Sequence, residues 1–170
     1  MGIFDQQHIE LIEGELIDKK MSKNRPPVDA AAMLIALLIQ VFGSRFVNTE
    51  APIDVAPEDN PMNEPVPDLM VLKPEFTGFR TARPQPGDLD LVVEIADTSL
   101  QFDLTAKAAL YARAEIGEYW VLDVPGRRLL VHREPCEGQY GSVAAYEEHE
   151  AVTPLSAPDS SFQIRAVFPD

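Results

Sequence analysis

One cysteine, Cys136, stands in the 170-residue chain. A single thiol closes no intramolecular disulfide and builds no cysteine-based zinc site. Histidine is scarce too. His8 and His149 sit in polar surroundings without ligand spacing, and His132, on a hairpin strand, reads as an exposed side chain. There is no Gly-rich phosphate loop and no serine nucleophile elbow. The longest apolar run, Ala30 to Ile39, is too short to span a bilayer. The first seven residues lack the basic flank and apolar stretch of a signal peptide. These absences lead to the expectation of a cytoplasmic protein with no membrane partner. Positive charge is the last shortage: 14 Lys and Arg face 28 Asp and Glu, a formal net charge of −14. Such a chain does not attract duplex nucleic acid through its overall field. Any phosphate chemistry must use a local basic patch or a bound cation. Lys19, Lys20, Lys23 and Arg25 form the one clear basic cluster and read as a solvated loop, with phosphate contact as the alternative. Arg127, Arg128 and Arg133 are further candidates for a patch.

Hydrophobic residues make up 45% of the chain, enough for a real core in one domain over 1–170. The most informative stretch runs from Leu89 to Lys107. Its first part reads as a strand, with Leu89, Leu91, Val93 and Ile95 on one face and Asp90, Val92, Glu94 and Ala96 on the other. Both faces are largely apolar, so the strand is central and covered on both sides. Glu94 in its middle needs a cation, a metal or donors, because an ionised carboxylate is costly to bury alone. From Asp103 the pattern turns helical. Leu104, Lys107, Ala108, Tyr111, Leu110 and Ala114 share one arc, with Lys107 near its centre. A strand carboxylate and a helix ammonium thus face one interior, either as a structural ion pair or as a catalytic constellation.

Around that stretch, Glu13-Gly14 turns a hairpin within 8–18. Pro26 and Pro27 open a helix over 28–42 that Gly43 closes. That helix is apolar nearly all round, which predicts burial against the sheet or in a subunit interface. Residues 45–55 read as a strand, and so does the short apolar run after Asp68. Gly117 ends the second helix. Strands follow at 118–123, 128–133 and 140–147, with an edge strand at 162–168. The class is mixed α/β (α+β), with a central mixed sheet, two main helices and hairpin additions.

If the strands carrying Asp68 and Glu94 pair, their carboxylates converge at one edge of the sheet. Two hard oxygen ligands plus water suit Mg²⁺. A metal held so polarises a phosphodiester and acidifies an attacking water, with Lys107 beside it to stabilise developing negative charge. Spacing alone does not single out that chemistry.

Pro67-Asp68-Leu-Met-Val, Val-Val-Glu94-Ile-Ala-Asp97-Thr-Ser-Leu, Asp103, Lys107, Tyr111-Ala and Glu118-Tyr-Trp-Val-Leu-Asp123 together resemble the Uma2 family. That family consists of endonucleases with the restriction-endonuclease-like fold of the PD-(D/E)XK superfamily. The opening Ile9-Glu10-Leu-Ile-Glu-Gly14-Glu-Leu resembles the family's first hairpin. The resemblance covers roughly residues 8–140. It implies a Mg²⁺- (or Mn²⁺-) dependent endonuclease acting on nucleic acid, DNA above all, with Asp68 and Glu94 as metal ligands and Lys107 as a third catalytic group. The superfamily's lysine two residues after the acid is absent here, where Ala96 stands. Lys107 reaches in from the helix in its place. Glu10 is a further candidate carboxylate. Asp97 is either a group behind the ligands or, with Thr98 and Ser99, a helix cap. Family members often carry a histidine before the first helix; this chain has Pro27-Val28-Asp29 instead. The alternative to an enzyme is a catalytically silent module on the same scaffold. The acidic surface and the apolar first helix suit a homodimer or a protein partner.

Overall fold

The computed structural model describes residues 9–19, 24–78 and 82–168. Lys20, Lys23 and His8 lie outside the described residues. Six strands form the central sheet: β3 (Val47–Thr49), β4 (Leu69–Leu72), β5 (Leu89–Ala96), β6 (Glu118–Asp123), β7 (Arg128–Cys136) and β8 (Gln139–Glu147), side by side in chain order. All neighbours are antiparallel except β5 and β6, which are parallel. A parallel pair needs a crossover. Here it consists of α2 (Leu100–Phe102), a π-helical turn over Asp103–Lys107, and α3 (Ala108–Arg113). Two small ribbons flank the sheet: the hairpin β1 (Ile9–Ile12) with β2 (Glu15–Asp18), and β9 (Ala151–Val152) with β10 (Phe162–Gln163).

Each sheet face carries its own apolar layer. Leu69, Val71, Leu91, Val93, Trp120 and Leu122 point to α1 (Arg25–Phe42) and the carboxy-terminal Ile164 and Val167. Met70, Leu72, Val92, Ala96, Tyr119 and Val121 point to α3 and the hairpin residue Ile12. Strand alternation therefore decides the site. Glu94 is in phase with Val92 and Ala96, so it faces the crossover, from which Lys107 and Tyr111 reach it. The ladder pairs Leu69 with Val93 and Met70 with Val92. Asp68, one residue before β4, is thus carried beside Glu94 on the same face.

The structure departs from the sequence expectations at particular places. Leu89 joins the layer of Val92, not that of Leu91, because the β4–β5 register shifts after Val71 and pairs Leu72 with Leu89. Within 45–55 only Val47–Thr49 joins the sheet. Beyond it, Ile53 and Asp54 donate to the carbonyls of Pro65 and Pro84, in segments whose prolines offer no ladder N–H in return. Of 162–168, Phe162–Gln163 is strand and Ile164–Val167 a 3-10 turn. Chain reversal after α3 uses Glu115 at φ 57°, not Gly117. Helix α1 buries one stripe, Pro27, Ala30, Leu34 and Leu38, and leaves Val28, Met33 and Ile39 exposed. Its 18 residues are long and apolar enough to cross a membrane by composition, yet that stripe lies in the sheet layer.

His132 is buried, not exposed. It packs within 5.1 Å of Tyr119 and 5.5 Å of Tyr140, and burial holds its pKa below the ordinary histidine value. The arginines expected as a patch are each paired with acids: Arg127 with Glu148, Arg128 with Asp123, and Arg133 with Glu118. Glu118 is buried and also accepts from the Trp120 indole and the Leu155 N–H. Removing Arg133 leaves that carboxylate without its countercharge. An Arg133→Met chain is expected to lose about 3 kcal/mol in urea unfolding at pH 7.5. An unchanged midpoint would show that the pair contributes nothing.

Candidate functional site

The site begins with backbone chemistry. Val66 lies between Pro65 and Pro67, which holds it extended, and both its polar groups are used. Its N–H donates to Glu10 Oε2 at 3.1 Å, and its carbonyl accepts from Lys19 Nζ at 2.7 Å. Asp68 follows. One carboxylate oxygen accepts the Ile95 N–H at 2.6 Å, which fixes its direction. The other lies 3.0 Å from Lys19 Nζ. Glu94 divides its oxygens likewise. Oε1 accepts from Lys107 Nζ at 2.7 Å and from the Tyr111 hydroxyl at 2.9 Å. Oε2 accepts from Lys19 at 2.7 Å. Lys107 also meets Glu10 Oε2 at 2.8 Å. The structure thus brings Asp68, Glu94, Lys107 and Glu10 together in one network.

Asp97 lines the adjoining cleft; the acids acting on Lys19 are Glu94, Asp68 and Glu10. The capping role expected of Asp97, Thr98 and Ser99 is not found. Ser99 holds the N-cap position without a side-chain cap bond, and its hydroxyl donates to Asp103 at 2.6 Å. Asp103 and Lys107 both sit in the π-helical turn, buried. Such single turns are rare and often mark functional sites.

Four participants were not anticipated: Lys19, the Val66 carbonyl, the Tyr111 hydroxyl as a donor to Glu94, and Asp103. Lys19 had a usable signal. Glu10 pairs with Ile17 across the hairpin, so the two share a face. Lys19 is in phase with Ile17, which packs inward. Periodicity alone thus aims Lys19 at the sheet.

Electrostatics follow from burial and charge. Burial works against the Lys19 charge, but Glu94, Asp68 and Glu10 overcome it and raise its pKa above the ordinary lysine value. Burial, then the Glu94 charge, pushes Asp68 up to about 6, against the pull of Lys19 and the Ile95 N–H. For Glu94 burial is opposed and outweighed by Lys107 and Lys19, which hold it well below the usual carboxylate range. Burial, then Glu94, raises Asp103 to about 7.

Asp103 therefore binds its proton more tightly in the folded chain than in the unfolded one. Its contribution is fully present below pH 3.8 and is lost as pH rises through about 7. Asp103→Asn removes that loss. The variant is expected to gain on the parent between pH 4 and pH 8, by up to about 4 kcal/mol. Parallel denaturation curves with no pH-dependent gap would refute the assignment.

The network opens onto a cleft of about 650 Å³, lined by the polar residues Glu10, Lys19, Asp68, Asp97, Asp103 and Lys107 and by the apolar Val28, Ile35 and Phe102. One carboxylate oxygen of Asp68, one of Glu94 and the Val66 carbonyl all lie within 3.0 Å of a single cation, the Lys19 ammonium. An all-oxygen donor set of this kind fits Mg²⁺ or Mn²⁺. Among the described residues no three His, Cys, Asp or Glu side chains gather as a metal cluster. A metal here would have two carboxylates, one carbonyl and water.

The Uma2 family model, described as "Putative restriction endonuclease", matches residues 3–166. Among solved structures, one titled a putative nuclease belonging to DUF820, from Anabaena variabilis, superposes with a TM-score of 0.69. It shares 19% identity, and the match covers 94% of this chain and 89% of that one. No curated protein matches the chain.

Proposed function

The chain belongs to the Uma2 family of restriction-endonuclease-like nucleases, and from that premise we propose that it is a divalent-metal-dependent endonuclease hydrolysing phosphodiester bonds, with DNA as its substrate. The observation that carries this reading is the meeting of Asp68 and Glu94 with the Val66 carbonyl at one cation position beside the cleft. Asp68, Glu94 and that carbonyl would hold Mg²⁺ or Mn²⁺. The metal would supply Lewis acidity toward a phosphoryl oxygen and a lowered pKa for a water.

The chain's own residues set the geometry. The Ile95 N–H and Tyr111 hydroxyl aim the two carboxylates. Lys107 binds Glu94 and Glu10 at once, keeping Glu94 ionised and placing positive charge at the cleft wall. There it favours an approaching phosphate and the extra negative charge of its transition state. With −14 overall, binding of DNA rests on these local cations and on the metal.

The test is a Mn²⁺ titration by calorimetry at pH 8, with supercoiled-plasmid nicking in parallel. The parent is expected to bind Mn²⁺ and to nick only when loaded. Asp68→Asn is expected to weaken binding at least tenfold and to nick at background rate. Parent and variant with equal Mn²⁺ affinity would remove the ligand assignment.

Two observations favour a second reading, a catalytically silent module that binds protein or pairs with itself. The cation position is already held by Lys19, and α1 exposes Val28, Met33 and Ile39. Absence of metal binding at millimolar Mn²⁺, together with a dimer in sedimentation, would support it.

A further inference from the structure

The nuclease reading gives Lys19 no part in holding the metal, yet Lys19 contacts the same oxygens that reading assigns to metal. Its ammonium meets Asp68 Oδ1 at 3.0 Å, Glu94 Oε2 at 2.7 Å and the Val66 carbonyl at 2.7 Å. Mg²⁺ bonds oxygen at about 2.0–2.1 Å. An ion bridging these oxygens would overlap the ammonium or lie against it.

Charge leads to the same conclusion for the groups in direct contact. Glu10, Asp68 and Glu94 meet Lys19 and Lys107, three carboxylates against two ammoniums, with Asp103 outside that contact set and charged only above about pH 7. A divalent ion added to that set leaves the cluster positive, with two cations in contact and little water between them. A divalent ion exchanged for Lys19 leaves it neutral. Lys19 also has somewhere to go, because it lines the cleft on a flexible four-carbon stem.

We propose that Lys19 is a built-in counter-cation of the Asp68–Glu94–Val66 cage, and that a divalent metal enters only by exchange, with the Lys19 ammonium released toward the cleft. The inference rests on the nuclease reading for the identity of the cage. It adds that this chain sets its own threshold for metal. In metal-free conditions Lys19 keeps the two carboxylates from facing each other unscreened. The metal concentration needed for loading is then fixed by competition with a tethered amine.

The first experiment measures Mn²⁺ affinity of the parent and of Lys19→Met, a neutral side chain of similar length, by calorimetry at pH 8. Thermal unfolding is followed with EDTA and with Mn²⁺. Lys19→Met is expected to bind Mn²⁺ at least tenfold more tightly than the parent. It should also melt lower than the parent in EDTA and recover on adding Mn²⁺. A parent that fails to bind while Lys19→Met binds is the same competition at its extreme and also supports exchange.

Equal or weaker binding by Lys19→Met, with Asp68-dependent binding in the parent, overturns the exchange and leaves the nuclease reading standing. Binding in neither protein overturns both. The second experiment needs no variant. The parent is acylated with an amine-reactive ester, and modification is read by mass spectrometry, with half-buried Lys73, whose ammonium donates to the Gly87 carbonyl, as the internal reference. Mn²⁺ is expected to raise Lys19 modification severalfold relative to Lys73. An unchanged ratio at saturating Mn²⁺ overturns the proposal.

Discussion

Glu94→Gln is expected to abolish Mn²⁺ binding, lower plasmid nicking by at least about 10²–10³-fold, and destabilise the fold by about 3–5 kcal/mol. The glutamine amide keeps the volume but removes the one anion that two ammoniums share. Lys107 and Lys19 both lie 2.7 Å from the Glu94 carboxylate, which is buried. After substitution Lys107 is left with Glu10 and Lys19 with Asp68, and the amide N–H₂ must point at one of the two cations. For a chain of this length the loss corresponds to a fall in Tm of roughly 10 °C. Differential scanning calorimetry with and without Mn²⁺ reads the stability effect, and titration reads the metal. A variant that keeps the parent's metal affinity and Tm would show that Glu94 is neither ligand nor keystone of the network.

Lys107→Met should cost a similar amount, about 3–5 kcal/mol at pH 8, with a pH dependence of its own. Lys107 is 1% exposed and links Glu94 Oε1 to Glu10 Oε2. Without it Glu94 loses the larger of the two countercharges that hold its carboxyl well below the usual range, and it binds a proton more readily than in the parent. The deficit is therefore larger at high pH and shrinks as pH falls. Combining Lys107→Met with Glu94→Gln removes one charge of each sign, so the double variant should be more stable than the sum of the two losses by about 1–3 kcal/mol. Additivity within error, or a Lys107→Met chain as stable as the parent at pH 8, would mean that the pair is not coupled in solution.

The two residues invoked here were legible before any coordinates, and for a local reason. Glu94 sits inside an apolar run whose alternation gives both faces of β5, and Lys107 sits in mid-arc of the following helical pattern. Each periodicity spans a few residues and needs no knowledge of the partner. The same reasoning located the Glu13-Gly14 turn, where both residues take positive φ as a two-residue hairpin requires, and the Gly43 stop at φ 88°. It failed where burial depends on what packs above. His132 was expected at the surface because hairpin strands are often solvated on one side. Tyr119 and Tyr140 cover it here. Arg133 was expected in a cationic patch, and buried Glu118 claims it.

Lys19 divides the two kinds of information most clearly. A lysine beside Lys20, Lys23 and Arg25 reads as part of a wet basic loop, since neighbouring like charges repel and seek solvent. Two acids distant in sequence, Asp68 and Glu94, decide otherwise, with Glu94 75 positions away. Chain alternation and composition by themselves determined the sheet, its covered centre, the acid and the amine that face each other across it, and the shortage of positive charge. Only the tertiary structure decided which cation stands between Asp68 and Glu94. The energy of a buried charge depends on every neighbour within a few ångströms, and strand register with hairpin docking chooses those neighbours.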